Sequence, residues 1–451
     1  MAAQAGPTAA TLDTPASTPR PAALPPGPRL PPLVQTLFWG VLPVRFFESC
    51  HRRWGSTFTT RVVGGQTTVT ISDPDAVKAL FGLRADDFHA NEGAEVMLEP
   101  FLGRHSLLLL DGKEHQRERR LLIQAFHGHA LPEYRRIIEN VTREQLLTWP
   151  RDTRFALHPR MQAITLEVIL QAAFGIHDAA RLDALRAPLR EFLVRSGSFL
   201  ILIPQLRREL GRHSPWRRFV ACRTAVHEVL RDEIRARRTD PTSESRLDIL
   251  SVLVRARDER GDGLSDEALL DETMTMVLAG HDTSATGLAW TFDLLLHHPA
   301  ALDHLRSELA GGGDAFLDAV IKESLRLRPV IPETGRLLAH PFRVGDRELP
   351  EGAFVSANIL LTHRRPDLYP DPLTFRPDRF LDADTDLFSW IPFGGGVRRC
   401  IGAAFATAEM QTVLRTVINE TRLQPASAKQ DKPRRRVVTL VPKDGVQVVL
   451  R

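Results

Sequence analysis

The chain has only three cysteines, Cys50, Cys222 and Cys400, widely spaced and odd in number, so no disulfide framework organises it. That scarcity fits a reducing cytoplasm, and it excludes the clustered thiols of an iron–sulfur centre. Cys50 and Cys222 read as inert packing residues. No run of about 20 apolar residues is present. The most apolar early stretch, Val34 to Phe47, is interrupted by Gln35, Gly40, Pro43 and Arg45. Neither a signal peptide nor a membrane span is expected, and the cytoplasm is the expected location. The glycine pattern of a dinucleotide-binding turn is missing, as is any internal repeat. Charge of one sign is missing too: 59 basic residues against 55 acidic ones leave +4, too little to argue for nucleic acid. A pI near 9.2 allows at most a local basic face for an acidic partner.

What remains is an ordinary globular composition, 43% hydrophobic and 25% charged over 451 residues. Residues 1–27 are rich in Ala, Pro and Thr and cannot bury enough surface to fold alone, so they read as a disordered tail before one domain over 28–451. A monomer is expected. Thr57 to Ser72 predicts a hairpin around Gly64-Gly65. The text from Ala76 to His298 is mostly helical, and strands return after Pro329. Arg436 to Leu450 predicts a terminal hairpin turning at Lys443-Asp444-Gly445. The expected fold class is mainly α with small β-sheets.

Two stretches carry chemistry. In Phe393-Gly394-Gly395-Gly396-Val397-Arg398-Arg399-Cys400-Ile401-Gly402, a cysteine sits in a glycine-rich loop just before a predicted helix. Glycines allow close backbone approach, and a helix N-terminus aims unpaired N–H groups at the sulfur and favours its anion. The second stretch, Ala279-Gly280-His281-Asp282-Thr283, falls in the middle of a helix expected over Ser265 to His298. Ser265 caps that helix, Asp266 and Glu267 suit its positive end, and Pro299 stops it. Gly, Asp and Thr are poor formers, so a local opening is expected there.

The pattern Phe-x-x-Gly-x-Arg-x-Cys-x-Gly resembles the haem-binding signature of the cytochrome P450 family. The second stretch resembles the Ala/Gly-Gly-x-Asp/Glu-Thr motif of that family's central helix. The resemblance runs from Leu24 to the C-terminus and is closest to soluble actinobacterial members, since eukaryotic members usually carry an amino-terminal membrane helix. It implies the cytochrome P450 fold, with haem b held between the long central helix and the loop bearing Cys400.

By the same resemblance, Cys400 is the proximal metal ligand, and Phe393, Gly394, Arg398 and Gly402 surround the cofactor with Ala279 and Gly280. His115, Arg119, Arg336 and Arg398 neutralise its two carboxylates. Thr283 hydrogen-bonds bound oxygen and Asp282 relays protons, while His281 is structural. Glu323, Arg326 and Arg379 form a network beneath the cofactor. Arg117 and Arg120 are expected to be solvated or partner-facing.

The implied activity is a monooxygenase using O2, an apolar small-molecule substrate, and electrons from a ferredoxin with its NAD(P)H-dependent reductase. The docking site for that donor is expected near Arg364, Arg365 and Arg399. The substrate pocket is expected along Asn91–Gly103, Val194–Ile203, Met276–Gly280, Val330-Ile331 and Val437-Val438. A peroxygenase, an O2-independent isomerase and a non-catalytic haem sensor are the alternatives; the first two usually lose the acid–alcohol pair, which is present here.

Overall fold

The computed structural model describes residues 24–62, 67–89, 95–126, 131–175, 179–196, 207, 211, 214–240, 243–381 and 388–451. Helices dominate the first two thirds of the chain: α1 (Pro32–Val41), α2 (Pro43–Trp54), α3 (Pro74–Phe81), α4 (Glu95–Leu102), α5 (Gly112–Ile123), α6 (Leu131–Leu146), α7 (Leu157–Phe174) and α8 (Ala179–Ser196). They continue as α9 (Pro215–Thr239), α10 (Ile249–Arg255), α11 (Asp266–Leu296), α12 (Pro299–Ala310), α13 (Ala315–Leu327), α14 (Ile359–Thr362) and α15 (Ala403–Glu420). Among the described residues no helix is long and apolar enough to cross a membrane.

The central helix α11 runs 31 residues, about 46 Å at 1.5 Å per residue. Its start is as the sequence predicts: the Ser265 hydroxyl accepts the Ala268 N–H at 3.1 Å. Its ends are buried against α7, α13 and α15, and the largest apolar cluster forms around it. The expected opening at Ala279–Thr283 is not there. The helix is continuous, and the Thr283 hydroxyl turns back to donate to the Ala279 carbonyl at 2.6 Å.

Gly280 has a packing reason instead: a Cβ there would lie 2.6 Å from Ile169 Cδ1, so the glycine lets α7 approach closely.

Small sheets frame this helical body. The five-stranded sheet runs β1-β2-β8-β5-β3 and comprises β1 (Thr57–Arg61), β2 (Thr67–Ile71), β3 (Phe88–His89), β5 (Thr334–Leu338) and β8 (Phe354–Ala357). β1 and β2 pair antiparallel from Thr57↔Ile71 as expected, while Gly64-Gly65 lie outside the described residues. Pairing of Arg336 with Val355 fixes the register that presents Arg336.

The terminal hairpin is corrected. β11 (Thr439–Pro442) pairs with β10 (Pro433–Arg436), whereas β12 (Gln447–Leu450) lies between β4 (Arg154–Ala156) and β9 (Leu423–Pro425). Gly445 does turn the chain at φ 77°, but the segments flanking it go to different sheets. A further hairpin joins β6 (Phe342–Val344) to β7 (Arg347–Leu349).

The boundary of the tail also moves. Leu24–Gly27 lie against β1, where the Pro25 and Pro26 carbonyls accept the Thr59 hydroxyl at 2.7 Å and its N–H at 3.1 Å. Proline stiffness lowers the entropy lost in fixing so short a segment.

Candidate active site

The loop before α15 is shaped by glycine where the chain demands it. Gly394 and Gly396 have φ of 67° and 65°, and Cβ atoms on Gly395 and Gly396 would collide with the ring and backbone of Phe81. Gly402 meets nothing, so its contribution is its N–H, which points at the Cys400 thiol. The Cys400 N–H donates to the Phe393 carbonyl at 2.9 Å, closing the loop. Phe393 packs edge-on to Trp390 at 6.0 Å.

Cys400 opens at its surface yet has protein on most sides. Burial therefore raises its pKa. The Gly402 N–H, Arg119 and Arg399 pull the other way without reversing the shift. The groups that favour the anion thus offset the burial of the sulfur only in part.

Beneath the loop lies a buried ion network. Glu323 receives Arg326 Nε at 2.7 Å, Arg379 Nε at 3.1 Å and the Arg376 N–H at 2.9 Å. Arg326 reaches on to the carbonyls of His363 and Pro372 at 2.7 and 2.8 Å. His363, fully buried, accepts the Ile391 N–H at 2.9 Å. Its pKa is pushed down to about 3 by burial and then by Arg326. No spacing signal in the sequence links positions 363 and 391.

The four predicted carboxylate partners converge. His115 is buried, and its pKa falls to about 3 through burial and then the charges of Arg398, Arg119 and Arg336. Arg398 donates to the carbonyls of Leu107 and Leu110 and to Asp111. Arg336 donates to Gly335 O at 2.8 Å, and Arg119 to Arg399 O at 2.6 Å. Burial lowers the pKa of Arg336 and of Arg398 to about 10. An open cleft of about 250 Å³ is lined by His115, Gln116, Arg119, Arg120, Ile123 and Val397.

The middle of α11 is its least buried part. Ala279 is exposed, and Met276, Leu278, Gly280, Asp282 and Thr283 are half-buried, although both helix ends are enclosed. The centre of α11 is thus the part its neighbours leave uncovered. Asp282 is held there by Gln162 Nε2 at 2.7 Å and by Arg436 Nη1 at 3.2 Å, two partners that its sequence motif does not reveal. His281 is buried, its ring 3.0 Å from the Thr165 hydroxyl, which is the structural place expected. One residue past Thr283, Ser284 hydrogen-bonds Glu409 of α15. This carboxyl, also unnoticed in the sequence, has its pKa pushed up to about 8 by burial.

Several expectations are corrected. Arg117 is half-buried and engaged within the chain, since it pairs with Asp258 at 2.6 Å and Glu118 at 3.2 Å. Arg120 is exposed as expected. Arg364 pairs with Glu48 at 2.5 Å and Arg365 with Asp73 and Asp367, so these two cations are engaged within the chain. Arg399 is exposed. Of the expected pocket lining, residues 91–94 and 197–203 lie outside the described residues, Val330 is buried, and Val438 is exposed.

Haem fits this residue set on two observations. Three guanidiniums (Arg119, Arg336, Arg398) surround His115, and the one carboxylate near them, Asp111, acts on Arg398 and Arg336 only, which leaves positive charge for two propionates. His115 Nδ1 and Arg398 Nε are buried without a hydrogen-bond partner. A thiol at the head of a helix, an arginine-rich cradle and a central helix with an uncovered middle define the class of haem-thiolate proteins.

The comparisons make this specific. A family model described as Cytochrome P450 matches residues 25–449. The Mycobacterium tuberculosis protein cytochrome P450 135B1 is 39% identical over 434 residues, 95% of this chain and 91% of the relative. Cytochrome P450 138 of Mycobacterium bovis is 36% identical over 439 residues, 97% of this chain and 98% of the relative. A solved structure of retinoic acid-bound cyanobacterial CYP120A1 superposes with a TM-score of 0.81 at 26% identity, covering 95% of this chain and all of that one. The cytochrome P450DA haem domain gives 0.82 at 23% identity, covering 96% of this chain and 98% of that one, which bears on the fold alone. The chain belongs to the cytochrome P450 family. It is a haem-b monooxygenase.

Proposed function

We propose that this enzyme inserts one oxygen atom of O2 into an apolar organic substrate, by hydroxylation or epoxidation, with electrons from a ferredoxin and its NAD(P)H-dependent reductase. Cys400 would hold the haem, which when bound would supply the iron chemistry that activates O2. The residues of the chain do the rest. The Gly402 N–H, Arg119 and Arg399 stabilise negative charge on Cys400 Sγ. His115, Arg119, Arg336 and Arg398 hold the cofactor carboxylates. Thr283 lies in the uncovered middle of α11, where its hydroxyl can leave the Ala279 carbonyl and donate a hydrogen bond into the site. Asp282 Oδ1, held between Gln162 and Arg436, can take a proton from the solvent side, because Arg436 is more than a third exposed. The cleft lined by Arg119 and exposed Arg120, with exposed Arg399 joined to Arg119 through its carbonyl, is the docking face for an acidic electron donor.

The single observation that carries this reading is the Asp282–Thr283 pair at the uncovered middle of α11. Peroxygenases and isomerases of this class have no need of a proton relay, nor does a haem sensor. The test is turnover with ferredoxin, reductase, NADPH and O2, compared with peroxide alone. Thr283→Ala should keep the thiolate spectrum of the ferrous carbon monoxide complex and divert reducing equivalents to hydrogen peroxide. Unchanged coupling, or equal turnover with peroxide, would remove the relay from the mechanism. Cys400→Ser should abolish the thiolate band.

A further inference from the structure

Helix α1 (Pro32–Val41) is built inside out. Its one fully buried side chain is polar: Gln35 Nε2 donates to the Leu30 carbonyl at 2.8 Å and its Oε1 accepts the Arg61 N–H at 3.0 Å. Trp39 also turns inward, donating to Glu333 at 3.1 Å beneath the Arg435 guanidinium. The solvent face carries Leu33, Leu37, Phe38 and Val41, which are 70, 61, 41 and 62% exposed. Leu33, Leu37 and Val41 follow one another at i, i+4 and i+8, a single stripe. Leu30 and Leu42 extend it at either end. A helix packed on a globular surface carries the opposite arrangement, polar outward and apolar inward. Of the fourteen exposed large hydrophobic residues among those described, six fall within these 13 positions. That concentration distinguishes the stripe from the single exposed apolar residues found on any protein.

Charge identifies what covers it. From Leu24 to Phe47 there is no Asp or Glu, while Arg29 and Arg45 stand exposed at the two ends of the stripe. Glu48, the next acidic residue along the chain, is engaged by Arg364, and Glu333, which accepts from Trp39, by Arg435. A second copy docked by two-fold symmetry would set these arginine ends against each other. An apolar stripe flanked by arginines and free of carboxylates matches a helix lying between acyl chains and anionic headgroups. We propose that α1 docks this protein peripherally on an anionic lipid bilayer. Trp39 and Arg435 tie α1 to β10, whose last residue, Arg436, holds Asp282. Docking therefore turns toward the bilayer the side on which β10 reaches the active site.

The experiment is flotation of the full-length holoprotein with vesicles of phosphatidylcholine, with and without phosphatidylglycerol. The expected result is binding to the anionic vesicles that weakens as salt is raised, and weaker binding to phosphatidylcholine alone. The triple variant Leu33→Ser, Leu37→Ser, Val41→Ser should keep its ferrous carbon monoxide spectrum, since all three side chains are exposed, and should bind at least about tenfold less. Arg29→Gln with Arg45→Gln should lose only the preference for anionic lipid. Wild-type holoprotein that does not float with either vesicle overturns the proposal. So does a triple variant that floats as well as wild type, or one that instead converts a lipid-free dimer to a monomer in sedimentation velocity.

Discussion

Ile391 donates its backbone N–H to His363 Nε2 at 2.9 Å, while His363 Nδ1 lies 3.2 Å from the Arg326 carbonyl. The acceptor at Nε2 and the donor at Nδ1 fix the neutral tautomer of a fully buried ring. This contact couples the Glu323–Arg326 pair to the loop that ends in Cys400. From Ile391 the path continues through the Gly394 N–H on the Ile391 carbonyl and the Cys400 N–H on the Phe393 carbonyl. A glycine-rich loop thus holds its shape through a ring more than thirty positions away in sequence.

His363→Ala strands the Ile391 N–H and the Arg326 carbonyl in a dry interior, at a cost of about 2–4 kcal/mol in a denaturant titration. His363→Gln, which can donate and accept, should recover part of it. The folded pKa near 3 is depressed, so the unfolded chain takes up the proton first as pH falls. The wild type should therefore lose stability from about pH 6.5 down to pH 3, and His363→Gln should flatten that slope.

Glu323→Gln leaves Arg326 and Arg379 buried with no carboxylate. Breaking such a pair costs about 3–5 kcal/mol. The same variant should release haem faster to an acceptor protein, measured by the shift of the Soret band, while Arg365→Gln at the surface should change the release rate little.

Gly280→Ala places a methyl group against Ile169 Cδ1 and should cost about 1–3 kcal/mol in thermal or chemical unfolding. Ile169→Val removes the clashing carbon. The double variant should be more stable than Gly280→Ala alone, a coupling that a purely conformational effect of alanine cannot produce.

Glu409 carries a raised pKa of about 8, so the folded state holds its proton more tightly than the unfolded chain. Stability should fall as pH climbs from about 4.5 toward 8 and then level off, the reverse of an ion-paired carboxylate. Glu409→Gln should remove this slope and gain on the wild type at pH 9, read from urea midpoints at pH 6 and pH 9.

Features that local chemistry determines were legible in the sequence. The central helix starts at its predicted cap, and Thr57–Arg61 and Thr67–Ile71 pair as predicted. Cys400, with its glycine-rich approach, heads a helix as expected. The ion pairs of Arg117, Arg364 and Arg365 are not legible there, because an arginine in sequence carries no sign of its carboxylate, which here comes from Asp258, Glu48 and Asp73. The terminal hairpin failed for a similar reason. The turn at Lys443-Asp444-Gly445 is real, but strand partners are chosen by the edges that distant segments leave open.

By itself, the sequence determined the family and the mainly helical class with small sheets, because each rests on short-range spacing or a local cap. Only the tertiary structure decided that Asp282 is held by Gln162 and Arg436, and that the loop of Cys400 hangs on His363. It also decided that Gly280 serves Ile169 and that α1 turns its leucines outward. Each of these depends on which surfaces meet across tens to hundreds of residues, and no periodicity along one chain encodes it.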